Sequence, residues 1–395
     1  MLTLDEAYRR LMARARLTGD EVVPLAAAAG RVLAEPRVIA PRDVPPFTNS
    51  AMDGYALRAS DTPGDLPIVG EVVAGAGPLP DVSAGEAVRI TTGAPLPPGA
   101  DTVVALEDAH ESRGIVTVAP TSPGAFVRLP GSDTPAGTVV CLAHALSPAG
   151  IAVLASFGLA RVGVRRRPRV AILSTGDELV EPGGELRPGQ IYDSNAAALA
   201  AAISQAGGEP VTLARASDSR SGVEAAMQAG AGCDLILTSG GVSVGQHDHV
   251  REVLESAGSL DFWRIAVQPG KPLAVGEYQG VTVIGLPGNP VSALVTFELF
   301  ARPLIRATLG LLGDGRLRVR ARPEEPIAKD KARRAFLRVS VWREAGETLA
   351  RSTGGQGSAQ LRPLAEANAL LVVPEGEEAA DPNRSYEAII LGELA

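Results

Sequence analysis

Apolar positions near the start of the chain recur at the spacing of a helix. Leu4, Ala7 and Leu11 follow one another at intervals of three or four residues, and Thr3 and Glu6 have the spacing of a capping box. The pattern predicts a short amino-terminal helix.

Residues 44–140 show a different pattern, in which short β-like runs are separated by proline and glycine turns. The runs PIVGEVVAGAG, AVRITTGA, DTVVALED and GIVTVAP predict a small all-β domain. It is inserted between residues 1–43 and residues 141–168, and the second of these segments carries a predicted helix in SPAGIAVLASFG. We therefore predict an amino-terminal linker domain made of the two flanking segments.

Strand-like and helix-like patterns alternate over residues 169–312. Strand runs such as RVAILS, DLILTS, DFWRIAVQ, PLAVGEY and VTVIGL are interspersed with helical runs, and one long helix is predicted in VSALVTFELFARPLIRATLG. Repeated β-α-β units predict a central doubly wound, mostly parallel α/β domain with helices on both faces. Residues 313–395 return to β character and predict a carboxy-terminal β-barrel-like domain with a helical turn in SAQLRPLAEAN. The fold class is thus multidomain α/β plus β.

Charge and cysteine content limit the compartment and the partners. The 395 residues carry a formal charge of −8, which argues against general nucleic-acid binding, and the basic segment Arg161–Arg169 is interpreted as a linker or strand edge, with anion collection as the alternative. Cys141 and Cys233 are far apart and form no CxxC motif, which is typical of a reducing cytoplasm. The first residues resemble no signal peptide and every apolar stretch is interrupted, so we expect no membrane association.

Three glycine-containing loops follow predicted strands of the α/β segment. They are Ser174–Leu179 (STGDEL), Thr238–Asp248 (TSGGVSVGQHD) and Gly285–Ser292 (GLPGNPVS). Glycine lets backbone amides approach an anion, Asn289 and Pro290 suit the start of a helix, and ligands of open α/β sheets bind at the carboxyl ends of strands. Each loop alone is also explained as a capped turn, but together they favour a phosphate-binding pocket with Lys271 on its rim.

The acids after these strands suit a hard cation. Asp177, Glu178 and Asp248 could hold Mg²⁺ through one or two carboxylates and substrate phosphates, whereas His247 and His249 do not make a metal site by themselves. HExxH, zinc-type cysteine spacing and the GK[ST] ending of a P-loop are missing from the sequence, which counts against the corresponding enzyme classes. Asp53, in the loop PPFTNSAMDGYA, is explained on its own as a turn residue.

Taken together, these segments resemble the molybdopterin molybdenumtransferase family, the MoeA-type proteins related to the gephyrin E domain. The matching runs are PPFTNSAMDGYAL, RITTGAPLPPGADTVV, LSTGDEL, IYDSN, DLILTSGGVSVGQHD, QPGKPLAVG, GLPGNPVSA, AFLRV and QGSAQLRPLAEAN. They occur in one order over almost the whole chain.

The resemblance implies an L-shaped homodimer with four domains per subunit, whose active site lies between the α/β domain of one subunit and the β domain of the other. The family cleaves adenylylated molybdopterin, releases AMP and inserts molybdate, with a divalent cation such as Mg²⁺. The implied catalytic residues are Asp53, Thr92, Asp133, Glu178 and Asp248, of which Asp53, Glu178 and Asp248 are the candidate metal ligands. The implied substrate-binding residues are Ser239, Gly240, Gly241, Ser243, Arg264, Lys271, Pro287, Gly288, Asn289, Pro290 and Ser292.

The chain departs from the family pattern in three places. Gln268 stands where the family often has a lysine, whereas Arg264 keeps the charge of another lysine. In Arg128–Asp133 the family's acid is replaced by Ser132 and its second arginine by Pro130, although Asp133 is retained. Asp218 follows Ser217 where an Asp pair is common, so Asp218 is only a candidate site residue.

Two other functions stay open on the sequence. A molybdopterin adenylyltransferase shares the SGGVSVG domain type, but the long β segments and the GLPGNPVS loop disfavour it. A non-catalytic molybdopterin-binding scaffold is disfavoured because Asp53, Glu178 and Asp248 are retained. The molybdopterin adenylyltransferase is also a candidate protein partner, and the sequence does not distinguish molybdate from tungstate.

Overall fold

A computed structural model describes residues 2–75, 77–241 and 249–394. The chain forms two compact units, one made of Met1–Glu21 with Arg165–Ala395 and the other of Val22–Val164. The α-helices of the described residues are α1 (Leu4–Met12), α2 (Pro148–Ser156), α3 (Ser194–Ala206), α4 (Arg220–Gly230), α5 (His249–Ala257), α6 (Pro290–Thr296), α7 (Arg302–Thr308) and α8 (Leu361–Glu366).

The strands fall into three groups along the chain. The first group is β1 (Asp20–Pro24), β2 (Arg37–Ile39), β3 (Asn49–Ser50), β4 (Gly54–Leu57), β5 (Gly64–Val72), β6 (Ala87–Ile90), β7 (Thr102–Ala105), β8 (Ala109–Ser112), β9 (Ile115–Val118), β10 (Val127–Arg128), β11 (Val139–Cys141) and β12 (Arg161–Arg165). The second is β13 (Arg169–Ser174), β14 (Leu179–Val180), β15 (Ile191–Tyr192), β16 (Glu209–Thr212), β17 (Leu235–Ser239), β18 (Ser259–Trp263), β19 (Val267–Gln268), β20 (Ala274–Tyr278) and β21 (Val281–Leu286). The third is β22 (Arg318–Pro323), β23 (Ile327–Ala328), β24 (Arg334–Glu344), β25 (Glu347–Ser352), β26 (Ala369–Val373), β27 (Ala379–Ala380) and β28 (Tyr386–Ile390).

The unit Val22–Val164 is built around a β-sheet with the strand order β7-β4-β6-β5-β9-β8. Two apolar clusters fill it, one around Tyr55 and Leu66 and the other around Val88 and Ile90. The helix expected in SPAGIAVLASFG is confirmed as α2, and its N-cap Ser147 accepts a hydrogen bond from the amide of Gly150 at 3.2 Å. The six-stranded sheet confirms the predicted β character of this region.

The central sheet has the order β16-β13-β17-β21-β20-β18, in which the first four strands are parallel and β20 is antiparallel to both of its neighbours, β21 and β18. Successive residues of β13 point to opposite faces. Ile172 packs in a core with α3 and α1, whereas Leu173 packs in a second core with α4 and α5. Burial on both faces explains why the strands are almost wholly apolar. The predicted doubly wound, mostly parallel α/β domain is confirmed.

The segment predicted as one long helix after β21 is interrupted. A π-helical turn, Phe297–Ala301, separates α6 from α7, and the amide of Arg302 donates to the carbonyl of Phe297. Pro303 has no N–H to donate to the carbonyl four residues earlier, which explains why the helix widens at this point.

The prediction of a single strand in DFWRIAVQ was also wrong. Its residues are divided between β18, which pairs with β20 in the central sheet, and β19, which pairs with β24. Arg264 lies between them with a φ of 102°, a backbone conformation that ends a strand.

The carboxy-terminal sheet closes on itself. Its order is β19-β24-β25-β22-β28-β26, and an additional pairing of β24 with β26 completes a barrel around Leu337, Val339 and Leu371. The predicted β-barrel-like domain and the helical turn, now α8, are both confirmed. None of the helices in the described residues is long and apolar enough to cross a bilayer.

We predict that Leu237→Ala lowers the free energy of unfolding by about 2–5 kcal/mol, because it opens a cavity in the core of the central sheet. Leu237 is fully buried, whereas Leu312 is 95% exposed. Leu312→Ala removes the same atoms and should change the free energy by less than about 0.5 kcal/mol. Urea unfolding followed by circular dichroism measures both, and equal losses in the two variants would contradict the assigned core.

Candidate functional site

Three loops meet at the carboxyl edge of the central sheet. Strands β13, β17 and β21 are parallel neighbours, and their last residues Ser174, Ser239 and Leu286 lie side by side in register. The amide of Thr175 donates to the carbonyl of Ser239 at 3.3 Å, and that of Gly240 to the carbonyl of Leu286 at 3.2 Å. The described first residues of the three loops therefore lie next to one another at the edge where open α/β sheets bind ligands.

This surface is the floor of a cavity of about 960 Å³. The structure brings most of the predicted site residues of the α/β segment into its lining, namely Glu178, Asp218, Ser239, Gly240, Gly241, Lys271, Pro287, Gly288, Asn289, Pro290 and Ser292. Their roles in binding and catalysis stay predictions.

Gly240 and Gly241 are required by the backbone and by the space around them. Their φ angles are 93° and 69°, in the left-handed region that glycine adopts without strain. A Cβ on Gly240 would lie 2.9 Å from Oγ1 of Thr175, and one on Gly241 would lie 2.9 Å from Cγ2 of Val250. The backbone at Gly240 and Gly241 thus lies close to Thr175 and Val250, and both glycines line the cavity.

Asn195 joins two of the loops. Its side-chain amide donates to Oγ of Ser239 and to the carbonyl of Gly288, both at 2.8 Å. Asn195 lies in the first turn of α3, which is capped by the carboxylate of Asp193. Sequence reasoning quoted the run IYDSN but did not single out Asn195, because its two partners are distant in sequence.

The barrel supplies the opposite wall through residues 356–359. Asn289 occupies the N-cap position of α6, but its side chain makes no capping bond and instead donates to Oγ of Ser358 at 2.9 Å. Asn289 therefore occupies the expected N-cap position, but its side chain does not form the capping hydrogen bond of an N-cap. The amide of Val291 also donates to the carbonyl of Ser358 at 3.1 Å. The start of α6 is therefore joined directly to the segment 356–359 that lines the cavity.

Arg338 shapes this wall from inside the barrel. Its side chain is fully buried and donates from Nη2 to the carbonyls of Gly355 and Gly357, both at 3.0 Å. Burial lowers the pKa of Arg338 to about 10, and the guanidinium still stays protonated at neutral pH. No sequence signal distinguished this arginine from the surface arginines of neighbouring strands.

The positive charges are placed differently from the prediction. Lys271 lines the cavity and is exposed, but Arg264 is not among its described lining residues. The backbone of Arg264 pairs with Leu2 and Leu273 where the chain leaves the central sheet. Arg333 of the barrel, which sequence reasoning missed, lines the cavity close to Gln268.

The two acids of the first loop, Asp177 and Glu178, lie in different surroundings. Glu178 is exposed in the cavity, and its carboxylate folds over Gly176, where a Cβ would lie 2.6 Å from Oε2. Asp177 is not among the described lining residues, and its carboxylate accepts a 3.5 Å hydrogen bond from the amide of Asp218. Within residues 2–75, 77–241 and 249–394, no three histidine, cysteine or acidic side chains are grouped as a metal site.

The exposed carboxylates of Glu178 and Asp218 nonetheless fit Mg²⁺. This ion is typically held by one or two carboxylates together with substrate phosphates, rather than by a complete protein cage. Ser243 and Asp248, which the sequence predicts as binding and catalytic residues, lie outside the described residues, as does His247.

Asp53 and Thr92 are brought together in the unit Val22–Val164. Oδ1 of Asp53 accepts from the amide of Thr92 at 2.5 Å and from its hydroxyl at 2.8 Å, and these bonds lower the pKa of Asp53 below its usual value. Gly54 follows because a Cβ there would overlap the carbonyl oxygen of Val104. Asp133 lies in the same unit, exposed, and its carboxylate accepts from the hydroxyl of Thr134 at 3.2 Å.

Comparisons with known proteins cover nearly the whole chain. Residues 2–158 match the MoeA N-terminal region (domain I and II), residues 171–307 a probable molybdopterin binding domain, and residues 320–391 the MoeA C-terminal region (domain IV). A molybdopterin biosynthesis MoeA protein from Pyrococcus horikoshii has a similar structure, with a TM-score of 0.82 and 34% identity over 100% of both chains.

Two curated relatives are similar over most of their length. "Molybdopterin molybdenumtransferase 2" of Mycobacterium tuberculosis is 39% identical over 95% of this chain and 96% of its own. "Molybdopterin molybdenumtransferase" of Nostoc sp. is 41% identical over 90% of this chain and 85% of its own. The family resemblance drawn from the sequence is confirmed: the chain belongs to the molybdopterin molybdenumtransferase family and is a transferase of molybdenum cofactor biosynthesis.

Proposed function

We propose that the chain inserts molybdate into adenylylated molybdopterin and releases AMP. The observation that carries this proposal is the cavity. Its described lining combines residues of two glycine-containing loops with the positive side chains of Lys271 and Arg333 and the exposed acids Glu178 and Asp218. Its volume of about 960 Å³ is at the upper end of the usual range for small-molecule sites, as a pterin joined to a nucleotide requires. The reaction cleaves the diphosphate of adenylylated molybdopterin, and the dithiolene of molybdopterin binds the molybdenum of molybdate.

Phosphate binding is assigned to the floor of the cavity. The backbone at Gly240 and Gly241 allows close approach, and Lys271 adds a point charge at the rim. Asn195 keeps the Ser239 and Gly288 loops at a fixed separation, so the phosphates meet a preorganised surface.

We propose Mg²⁺ as the cation, held by Glu178 with Asp218 or Asp248. When bound, it neutralises charge on the diphosphate and makes AMP a better leaving group. The acids of the loops hold the cation, while the backbone of the glycine loops orients the phosphates.

We further propose a homodimer in which Asp53, Thr92 and Asp133 act in the same reaction as the cavity residues. The two hydrogen bonds from Thr92 support this role for Asp53, since they hold an exposed carboxylate ionised and in one orientation. A molybdopterin adenylyltransferase is the expected partner because it would supply the substrate. The two free cysteines, Cys141 and Cys233, are consistent with a cytoplasmic enzyme.

We predict that Glu178→Gln lowers molybdate-dependent AMP release at least about 100-fold, because a charged ligand of the cation is lost. Asp177→Asn is the matched control, as it removes the neighbouring charge outside the cavity lining and should keep most turnover. AMP release from adenylylated molybdopterin is measured with Mg²⁺, with and without molybdate. Consumption of ATP without AMP release would identify an adenylyltransferase, and binding without turnover would identify a scaffold.

For Asp53→Asn we expect a folded protein that has lost most turnover, since Asn keeps the shape of the side chain and removes its charge. The pKa of Asp53 is lowered in the folded state, so its ionised form stabilises the fold above a pH of about 4 and this contribution disappears as the pH falls further. Melting temperatures of the wild type and the variant should therefore differ at neutral pH and converge in acid. Unchanged turnover in Asp53→Asn would remove this residue from the reaction.

Asn195→Asp should raise KM for adenylylated molybdopterin about tenfold or more, because the replacement carboxylate cannot donate to Ser239 and Gly288. Ser204→Ala changes another polar side chain of α3, one that bonds only within the helix to the carbonyl of Ala200, and serves as the control. Steady-state kinetics and melting temperatures of both variants provide the test. A variant with normal KM would show that the two loops keep their separation without Asn195.

A further inference from the structure

We propose that the ring of Phe126 contacts a flat heteroaromatic ring of the substrate, either the adenine or the pterin, on the surface that carries Asp53. This inference rests on the proposed function, because it gives the substrate of that reaction a further contact in the unit Val22–Val164. Phe126 has a φ of 52°, in the left-handed region where a bulky side chain is a rare outlier.

Four other non-glycine residues among those described have a positive φ, and each has a local explanation. Positive φ angles are favoured in the two-residue turns of β-hairpins, which explains Arg113, Gln279 and Ala345, each followed by a glycine. Arg264 lies at the break between β18 and β19. Phe126 stands directly before the short strand β10, outside such a turn, so its conformation needs another reason.

The backbone next to the Phe126 ring is held by neighbouring segments. The carbonyl of Ala125 accepts a hydrogen bond from the amide of Val103 in β7 at 3.0 Å. The carbonyl of Phe126 accepts one from the amide of Ala51 at 2.8 Å. A strained conformation persists where its surroundings fix it in this way, and such residues are concentrated at ligand-binding and active sites.

The Phe126 side chain is exposed, so packing of the core does not account for the strain. It is 43% exposed and belongs to neither of the two apolar clusters that fill the β-sheet of this unit. Met52, the residue after Ala51, is also exposed. An aromatic ring is therefore displayed beside the segment that leads to Asp53.

Asp53 follows Met52 directly, and its carboxylate accepts hydrogen bonds from the amide and the hydroxyl of Thr92. The amide of Leu106 donates to the carbonyl of Asp53 at 3.1 Å, and the Leu106 side chain is exposed. Aromatic side chains stack on flat heteroaromatic rings in a way that does not depend on one particular base. An exposed ring and apolar side chains beside a fixed carboxylate therefore suit a ligand that combines a flat ring with polar groups, as adenylylated molybdopterin does.

The experiment compares Phe126→Asn with Arg113→Asn in the full-length protein. Asparagine tolerates the left-handed region, so both variants relieve the backbone, at φ angles of 52° and 56°, but only the first removes an aromatic ring. Phe126→Tyr keeps the ring, and Phe126→Leu keeps an apolar side chain without it. Binding of AMP and of molybdopterin is measured separately by isothermal titration calorimetry, together with the melting temperature and the sedimentation of each variant.

We expect Phe126→Asn and Phe126→Leu to weaken binding of AMP or of molybdopterin about tenfold, because the stacking contact is lost. The melting temperature of Phe126→Asn should not fall below that of the wild type, since relief of the backbone offsets the few contacts of an exposed ring. Arg113→Asn should bind both ligands as the wild type does, and Phe126→Tyr should stay within about twofold of it. Weakened binding of AMP identifies adenine as the ring that stacks, and weakened binding of molybdopterin identifies the pterin.

Unchanged affinity of Phe126→Asn for both ligands, or equal weakening by Arg113→Asn, would overturn the proposal. Melting temperatures well below that of the wild type in both Phe126→Asn and Phe126→Leu would assign the ring to the fold. Loss of a wild-type dimer in both variants would assign it to a contact between subunits. Either of these results also contradicts the proposal.

The same titrations separate this proposal from the proposed reaction. If the wild type binds AMP or molybdopterin through Phe126 but releases no AMP from adenylylated molybdopterin, the reaction assignment fails and the role of Phe126 stands. If AMP is released and Phe126→Asn has normal affinity for both ligands, the reaction stands and the role of Phe126 fails.

Discussion

The parallel register of β13, β17 and β21 is the constraint on which the site depends. Ser174, Ser239 and Leu286 end their strands at the same level, so the loops that follow must share one edge. Hydrogen bonding in the sheet fixes this register, and burial of both faces prevents a slip by one residue, which would exchange the two cores.

The barrel completes the cavity by a few polar contacts that cross from one sheet to the other. Asn289 reaches Ser358, and Gln268 reaches the turn at Asp330. Buried Arg338 holds the carbonyls of the wall loop from behind. Such bonds are directional and therefore fix distance and orientation more tightly than apolar packing does. The cavity thus has a rigid floor made by strand ends and a wall whose position depends on these cross-links.

The cavity lining contains positively charged side chains, although the chain as a whole carries a negative net charge. A protein with a formal charge of −8 repels an anionic substrate at long range, and salt screens this repulsion beyond about 10 Å. Among the described lining residues, Lys271 and Arg333 bring positive charge, whereas Glu178 and Asp218 provide exposed carboxylates.

The sequence by itself determined the class of each segment, because apolar periodicity and glycine placement are local properties. It predicted the doubly wound sheet, the β segments on either side and the loops that carry Ser239, Gly240 and Asn289. Its loop and charge patterns also singled out Glu178 and Lys271, which do line the cavity. It could not reveal the π-helical turn, the break of the strand at Arg264, or the positions of Asn195 and Arg333 at the cavity. Those features depend on partners that are distant in sequence, such as Gly288 for Asn195 and Gln268 for the turn of Arg333, and only the tertiary fold brings such groups within hydrogen-bonding distance.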